Sequence, residues 1–173
     1  MTNISGLFVE RLMRVGRCAP GDPAMERAKQ CLLDYLGVAL AGAAALKEKN
    51  TLLAEHLSAS QGSVPLVGLN SKADVVTAAL INGISAHYLE LDDGSRYGMA
   101  HPGAPVISAL LPLLYSEQLS GLSLVRGILV GYEACLLLAE ALQPDLKQRG
   151  YHATGVCGTV GAAMGAAFAL DLP

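Results

Sequence analysis

Between residues 82 and 105 the chain gathers His87, Glu90, Asp92, Asp93, Arg96 and His101, with Tyr88 and Tyr97 among them. Packing alone does not call for so much polar chemistry in so short a run. If a helix continues through His87, then His87, Glu90 and Asp93 fall at successive i, i+3 steps on one face, and Asp92 points elsewhere. Carboxylates crowded in this way cannot all ionise cheaply, so one of them is expected to keep its proton, and such a group beside an imidazole can exchange protons with a substrate. His101 precedes Pro102 and Gly103, two residues that restrict its backbone.

A second cluster, 150–158, holds Tyr151, His152 and Thr154 in a glycine-rich turn just before an apolar helix. The free N–H groups and positive dipole end of that helix suit an anion, which His152 and Thr154 could meet. The lysine of a phosphate loop is missing, so nucleotide binding is not supported. A divalent-ion reading on His87, Glu90, Asp93 and His101 lacks a second histidine at helical i, i+4 spacing. No metal and no cofactor is therefore assigned. His87 reads as a hydrogen-bonded supporting residue, Asp92 and Asp93 could also end a helix by binding loop amides, and His56 falls on the solvent side of an amphipathic helix.

The elements that must position these residues read as helix after helix. The hydrophobic share is 52% and the charged share 16% of 173 residues, more apolar and less charged than an average domain. That composition points to helices buried all round, or to a face covered by a partner. The net charge of −3 offers no basic footprint for nucleic acid. Cys18, Cys31, Cys135 and Cys157 form no CxxC pair and read as reduced thiols in a cytoplasmic setting. The start of the chain, with Glu10 and Arg11, has no signal-peptide pattern.

Periodicity predicts helices over 4–15, with Leu7, Phe8, Leu12 and Val15 inward, and from 23 onward behind an Asp22 cap and Pro23. The second of these should be buried on all sides over 38–46. An amphipathic helix over 47–60, with Leu52, Leu53 and Leu57 on one side, should fray over 60–63. Extended structure is expected only over 64–69, limited by Pro65. Ser71, with Asp74 completing a capping box, should start the helix that leads to His87. Helices over 105–118, kinked at Pro112, and over 124–142 follow, and 143–150 reads as a loop. The uncharged segment 153–170 carries Gly161 and Gly165 four apart, a spacing also seen in membrane helices. It is shorter than a span needs, so it reads as a buried helix in close backbone contact with a neighbour, and no membrane is expected. The fold class is all-α, one helical domain over 1–173.

Four segments, 26–43, 81–111, 120–134 and 150–163, resemble the MmgE/PrpD family in order and spacing. The resemblance implies a lyase without cofactor, acting by dehydration, decarboxylation or related proton transfer on small polycarboxylates such as 2-methylcitrate or cis-aconitate. It implies a large helical domain joined to a smaller α+β lid, usually as a homodimer, with this chain matching the N-terminal portion. Carried onto this sequence, the pocket residues are Glu90, Asp92 and Asp93, then His101, then His152. Asp93, His101 and His152 are the expected catalytic groups, and Glu90, Asp92, Arg96 and Thr154 the expected substrate-binding groups. Lys72 and Lys147 do not match the family's pocket lysines, so the cations for a polycarboxylate should come from outside the chain. The isolated chain is then expected to have little or no activity. The rival expectation is a non-catalytic helical module that oligomerises or needs a partner chain.

Overall fold

In the computed structural model, which describes residues 3–57 and 62–172, eight helices and one two-stranded ribbon are found among the described residues. In order they are α1 (Ile4–Gly16), α2 (Pro23–Ala45), α3 (Lys47–Leu57), β1 (Val64–Pro65), β2 (Lys72–Ala73), α4 (Val75–His87), α5 (Gly103–Ser116), α6 (Gly121–Leu142), α7 (Asp145–Gln148) and α8 (Ala153–Ala169). The mostly-α class read from the sequence holds.

Local chemistry explains most of the boundaries. Asp22 accepts the Ala24 N–H at 2.8 Å, and Pro23 opens α2 as expected. Before α4 the cap is Asp74, not Ser71: its Oδ1 accepts the N–H groups of Val76 and Thr77, each at 3.0 Å. The reason is position. Ser71 lies ahead of β2, where its carbonyl accepts the Leu66 N–H, and Asp74 directly precedes the first helical residue. Strand β2, which no pattern in the sequence announces, pairs antiparallel with β1. Pro112 does not divide α5, which runs unbroken through it, and the expected loop after α6 contains the short α7. The expected fraying at 60–61 lies outside the described residues.

Helices α5, α6 and α8 form the frame of the molecule. Val106, Ile107, Leu110 and Ile128 are wholly buried between them. Helices α6 and α8 meet through glycine on both sides, Gly127 and Gly131 facing Gly165 and Gly161. A Cβ on Gly161 would lie 2.6 Å from the Gly131 carbonyl oxygen, and one on Gly165 would lie 2.7 Å from that of Gly127. The close backbone approach expected for this segment is therefore present. Helix α6 alone, among the described residues, is long and apolar enough to cross a membrane, and half of its apolar window is buried within the fold.

Buried polar pairs tie the other helices to this frame. The Tyr35 and Ser108 hydroxyls lie 2.7 Å apart between α2 and α5. Asn50 donates to the Ser85 hydroxyl at 2.9 Å between α3 and α4. Cys135 and Cys157 are buried free thiols, and burial pushes Cys135 up to about 12, away from the reactive thiolate form.

The apolar outer faces differ from expectation. Leu40 on α2 is 52% exposed, so 38–46 is not enclosed, and α3 buries Asn50 and Ala54 while Leu52 is exposed. On α1, Leu12 is buried and Leu7 exposed. Periodicity identified helices correctly, but it does not say which side of a short apolar helix meets a neighbour.

Gly161→Ala should cost about 1–3 kcal/mol, because backbone on the facing helix cannot yield as a side chain can. Gly155 lies on the open side of α8, with nothing within 4 Å of where a Cβ would stand, so Gly155→Ala should be neutral or stabilising by up to about 1 kcal/mol. Urea unfolding of the two variants checks this contrast.

Candidate active site

Helix α4 stops at His87 because the chain turns left-handed at Glu90, where φ is 53°. A non-glycine residue in that region is strained, and such strain is found where a site is being shaped. The turn overturns the expected one-face arrangement of His87, Glu90 and Asp93. Asp92 is the residue that returns beneath the end of α4, its Oδ2 lying 2.9 Å from His87 Nδ1. Glu90 remains at the rim, 73% exposed in its side chain, 3.7 Å from His87 Nε2.

Asp93 faces the opposite way. Its Oδ1 accepts the Gly103 N–H at 3.0 Å, and its main-chain oxygen lies 2.8 Å from His101 Nδ1. A carbonyl oxygen can only accept, so Nδ1 carries a proton, and Nε2 of His101 is the nitrogen left to take up or give one. Thr154, buried in the first turn of α8, accepts the His101 main-chain N–H at 2.9 Å. Asp93 and Thr154 thus hold His101 from two sides. The loop between Asp93 and His101 is closed by the Ser95 N–H donating to the Ala100 carbonyl at 2.9 Å.

Three imidazoles converge as a result. The His87 ring centroid is 5.3 Å from that of His101 and 6.5 Å from that of His152. Asp92 lies between the first two, with Oδ2 3.7 Å from His101 Nδ1. Its side chain is only 2% exposed, and its Oδ1 has no hydrogen-bond partner among the described residues. His152 is exposed at the N-cap of α8 and spends no side-chain bond on the cap.

Burial raises the Asp93 carboxyl above its ordinary range, and the nearby Tyr132 hydroxyl and Gly103 N–H offset this in part. Burial likewise raises the Tyr132 hydroxyl, with the Asp93 charge beside it adding to the effect. Gly103 is required here: a Cβ would lie 2.7 Å from Asp93 Oδ1 and 2.8 Å from the Tyr132 hydroxyl.

The cluster borders two hollows. An open groove of about 650 Å³ is lined by Leu80, Ile84, Tyr88 and Pro105, with His87 and Glu90 at its polar end. A second pocket, about 410 Å³, has His152, Lys147, Tyr151 and Met99 in its wall. No lysine or arginine lines the first. Arg96 is exposed and makes no ion pair among the described residues.

The profile of the MmgE/PrpD N-terminal domain matches residues 16–173. The chain belongs to the MmgE/PrpD family. It is similar to the cis-aconitate decarboxylase-like protein oryM of Aspergillus oryzae, 29% identical over 88% of this chain and 33% of that protein. It is 27% identical to cis-aconitate decarboxylase of Aspergillus terreus over 84% of this chain and 31% of that protein, and 28% identical to the Homo sapiens enzyme over 87% and 32%. The chain spans about a third of the length of these curated relatives.

Sequence reasoning treats His87 as a support, and it does not single out Tyr132 or Lys147 for the site. The spacing of His87 to Asp92 becomes meaningful only once the turn at Glu90 is known. Tyr132 and Lys147 come from elements distant in sequence.

The Asp93 shift has a sign that can be checked. An exposed aspartic acid titrates near 3.8, and the folded value lies higher. Asp93 therefore favours the folded state fully only below the unfolded value, and stability is lost as pH rises from there to the folded value, beyond which the penalty is constant. Asp93→Asn keeps an oxygen for Gly103 and has no proton to lose. Its stability relative to the unsubstituted chain should increase as pH rises from the ordinary aspartate value, as read by urea unfolding.

Proposed function

We propose that this chain supplies the histidine wall of an acid–base lyase pocket that takes a small polycarboxylate of the cis-aconitate type. The observation that carries this reading is the convergence of His87, His101 and His152, with the buried Asp92 between the first two. Lyase chemistry of this kind needs proton transfer groups held a few ångströms apart and free of other partners. His101 has its Nδ1 engaged by Asp93, and His87 has its Nδ1 engaged by Asp92, leaving Nε2 of each for the substrate.

The names of the relatives favour decarboxylation. In that reaction the bond from the methylene carbon to its carboxylate breaks. Its electron pair moves into a new double bond, the original double bond shifts its pair to the far carbon, and that carbon takes a proton. A protonated imidazole, His101 or His152, supplies the proton, and carbon dioxide leaves. Dehydration would use the same groups as a base for a carbon-bound proton and an acid for the departing hydroxyl. In either case Asp92 orients His87, Asp93 and Thr154 orient His101, and Glu90 stands at the rim.

Binding needs countercharge, and Lys147 beside His152, together with the N-terminus of α8, favours one carboxylate there. The absence of lysine and arginine from the larger groove supports the expectation that the chain alone turns over little substrate. The free thiols of Cys18, Cys31, Cys135 and Cys157 support a cytoplasmic setting.

Oligomerisation is favoured by a separate observation. Val76, Leu80, Ile84 and Tyr88, at four-residue steps along α4, are 77%, 48%, 36% and 51% exposed. Leu80, Ile84 and Tyr88 also wall the open groove, so a second copy of the chain or a partner chain seated on this apolar stripe would close that groove from outside.

Histidine ring ¹⁵N spectra recorded while cis-aconitate is added should show shifts at His101 and His152, and Lys147→Ala should weaken binding about threefold to tenfold, roughly 0.6–1.4 kcal/mol. No shift at millimolar ligand would remove the pocket reading. Turnover by the chain alone should be near background, and robust turnover lost on His101→Ala would contradict the need for outside cations. Light scattering after size exclusion should find an oligomer that Leu80→Glu dissociates, whereas a well-behaved monomer argues against the interface.

A further inference from the structure

We propose that His87, Asp92 and His101 form a binding site for one divalent transition ion, with Zn²⁺ the best match, in the mouth of the same pocket. The set differs from the one the sequence suggests, because the turn at Glu90 removes Glu90 and Asp93 and brings in Asp92. One nitrogen from each ring and one Asp92 oxygen all lie within 4.8 Å of one another.

The spacings fit an ion of that size. Zn–N and Zn–O bonds of about 2.0–2.2 Å in tetrahedral geometry put neighbouring ligand atoms about 3.3–3.6 Å apart. The separations from Asp92 Oδ2 are 2.9 Å to His87 Nδ1 and 3.7 Å to His101 Nδ1, on either side of that range. Closing the set requires the His101 ring to turn its Nδ1 from the Asp93 carbonyl toward Asp92 Oδ2, and His87 Nδ1 and Asp92 Oδ2 to part by a few tenths of an ångström. Two imidazoles with one carboxylate select zinc, cobalt, nickel or iron over the oxygen-seeking Mg²⁺ and Ca²⁺.

A second observation points the same way. The Asp92 side chain is 2% exposed, yet Oδ1 has no partner among the described residues. A buried carboxylate oxygen without a hydrogen bond is costly, and an ion shared by both oxygens of this carboxylate would offset that cost. Both rings are about one-third exposed, so an ion can enter from solvent without unfolding the loop. His152, its ring centroid 6.5 Å from His87, stands outside the set, which leaves a fourth position for water or a substrate carboxylate.

Metal ligation has a definite proton balance. For each neutral ring the proton on Nδ1 moves to Nε2 as Nδ1 takes the ion, with no net release. His101 then gives up its hydrogen bond to the Asp93 carbonyl, and His87 exchanges its bond to Asp92 for a shared ion. The Nε2 lone pairs are consumed in the process. Bound ion and acid–base form therefore exclude each other, so zinc should silence the pocket; that consequence rests on the lyase reading, whereas binding itself does not.

Calorimetry of the chelator-treated chain with ZnCl₂ should show one ion per chain, weakened at least about tenfold by Asp92→Asn and by His87→Ala. His56→Ala, on the exposed face of α3, should bind as the unsubstituted chain does. Should the site variants fail to fold, ¹⁵N spectra of the unsubstituted chain decide: Zn²⁺ must move the Nδ1 signals of His87 and His101 into the metal-bound range. Co²⁺ should give the visible bands of a four- or five-coordinate nitrogen and oxygen site. No saturable binding, thiolate charge-transfer bands, or unchanged affinity in folded Asp92→Asn would overturn the proposal. A chain that binds Zn²⁺ but not cis-aconitate would leave this site standing and remove the lyase reading, and the reverse result would do the opposite.

Discussion

Asp92 and Asp93 are neighbours whose carboxylates work in opposite directions, and the site depends on that division. Asp92 reaches back to the last residue of α4 and fixes the His87 ring. Asp93 reaches forward, taking the Gly103 N–H with its side chain and the His101 ring with its main chain. Two elements far apart in direction, the end of α4 and the start of α5, are thereby joined across a single peptide unit. The strain at Glu90 is part of the same arrangement, since a helix continuing past His87 would carry both carboxylates around its axis and satisfy neither partner.

That junction needs a rigid support, which the glycine contact of α6 with α8 provides. Because Gly131 and Gly161 allow backbone to touch backbone, α8 lies close enough to α6 for its first turn to meet the start of α5. Thr154 can then accept the His101 N–H. Tyr132, one residue beyond Gly131 on α6, stands beside Asp93 from behind. Packing of small residues and placement of the clustered polar ones are in this region the same constraint, met by α5, α6 and α8 together.

Much of this was legible in the sequence because its signals are local. The Asp22–Pro23 start of α2, the apolar stripe of α6 and the Gly161–Gly165 spacing each depend on residues within one or two turns of each other. The mostly-α fold and the importance of residues 82–105 followed from such signals. What stayed hidden was set by chain reversal and by contacts between distant elements. Left-handed Glu90 has no sequence signature, since glutamate seldom adopts that conformation, and without it Asp92 and Asp93 could not be given their separate duties. Tyr132 acts on a residue far earlier in the chain and Lys147 lines another pocket wall, both beyond the reach of periodicity. The exposure of Leu40 and of the α4 stripe was hidden because composition reports how much apolar surface exists and not where it lies.

The two hollows beside the imidazoles also differ in a way that bears on the chemistry. The pocket at His152 carries Lys147 and the positive end of α8, while the groove at His87 is walled by Leu80, Ile84 and Pro105. A substrate with several carboxylates would place a retained one at the first, where charge is met by charge. A carboxylate placed toward the second lies against apolar walls and gains no cation, and a group that leaves as neutral carbon dioxide is the one least penalised there. Dehydration has no comparable use for an apolar end, because its departing hydroxyl needs a proton donor close by. On the proposed reading, the uneven polarity of the site therefore favours loss of carbon dioxide over loss of water, and the imidazoles stand at the boundary where the proton must be delivered.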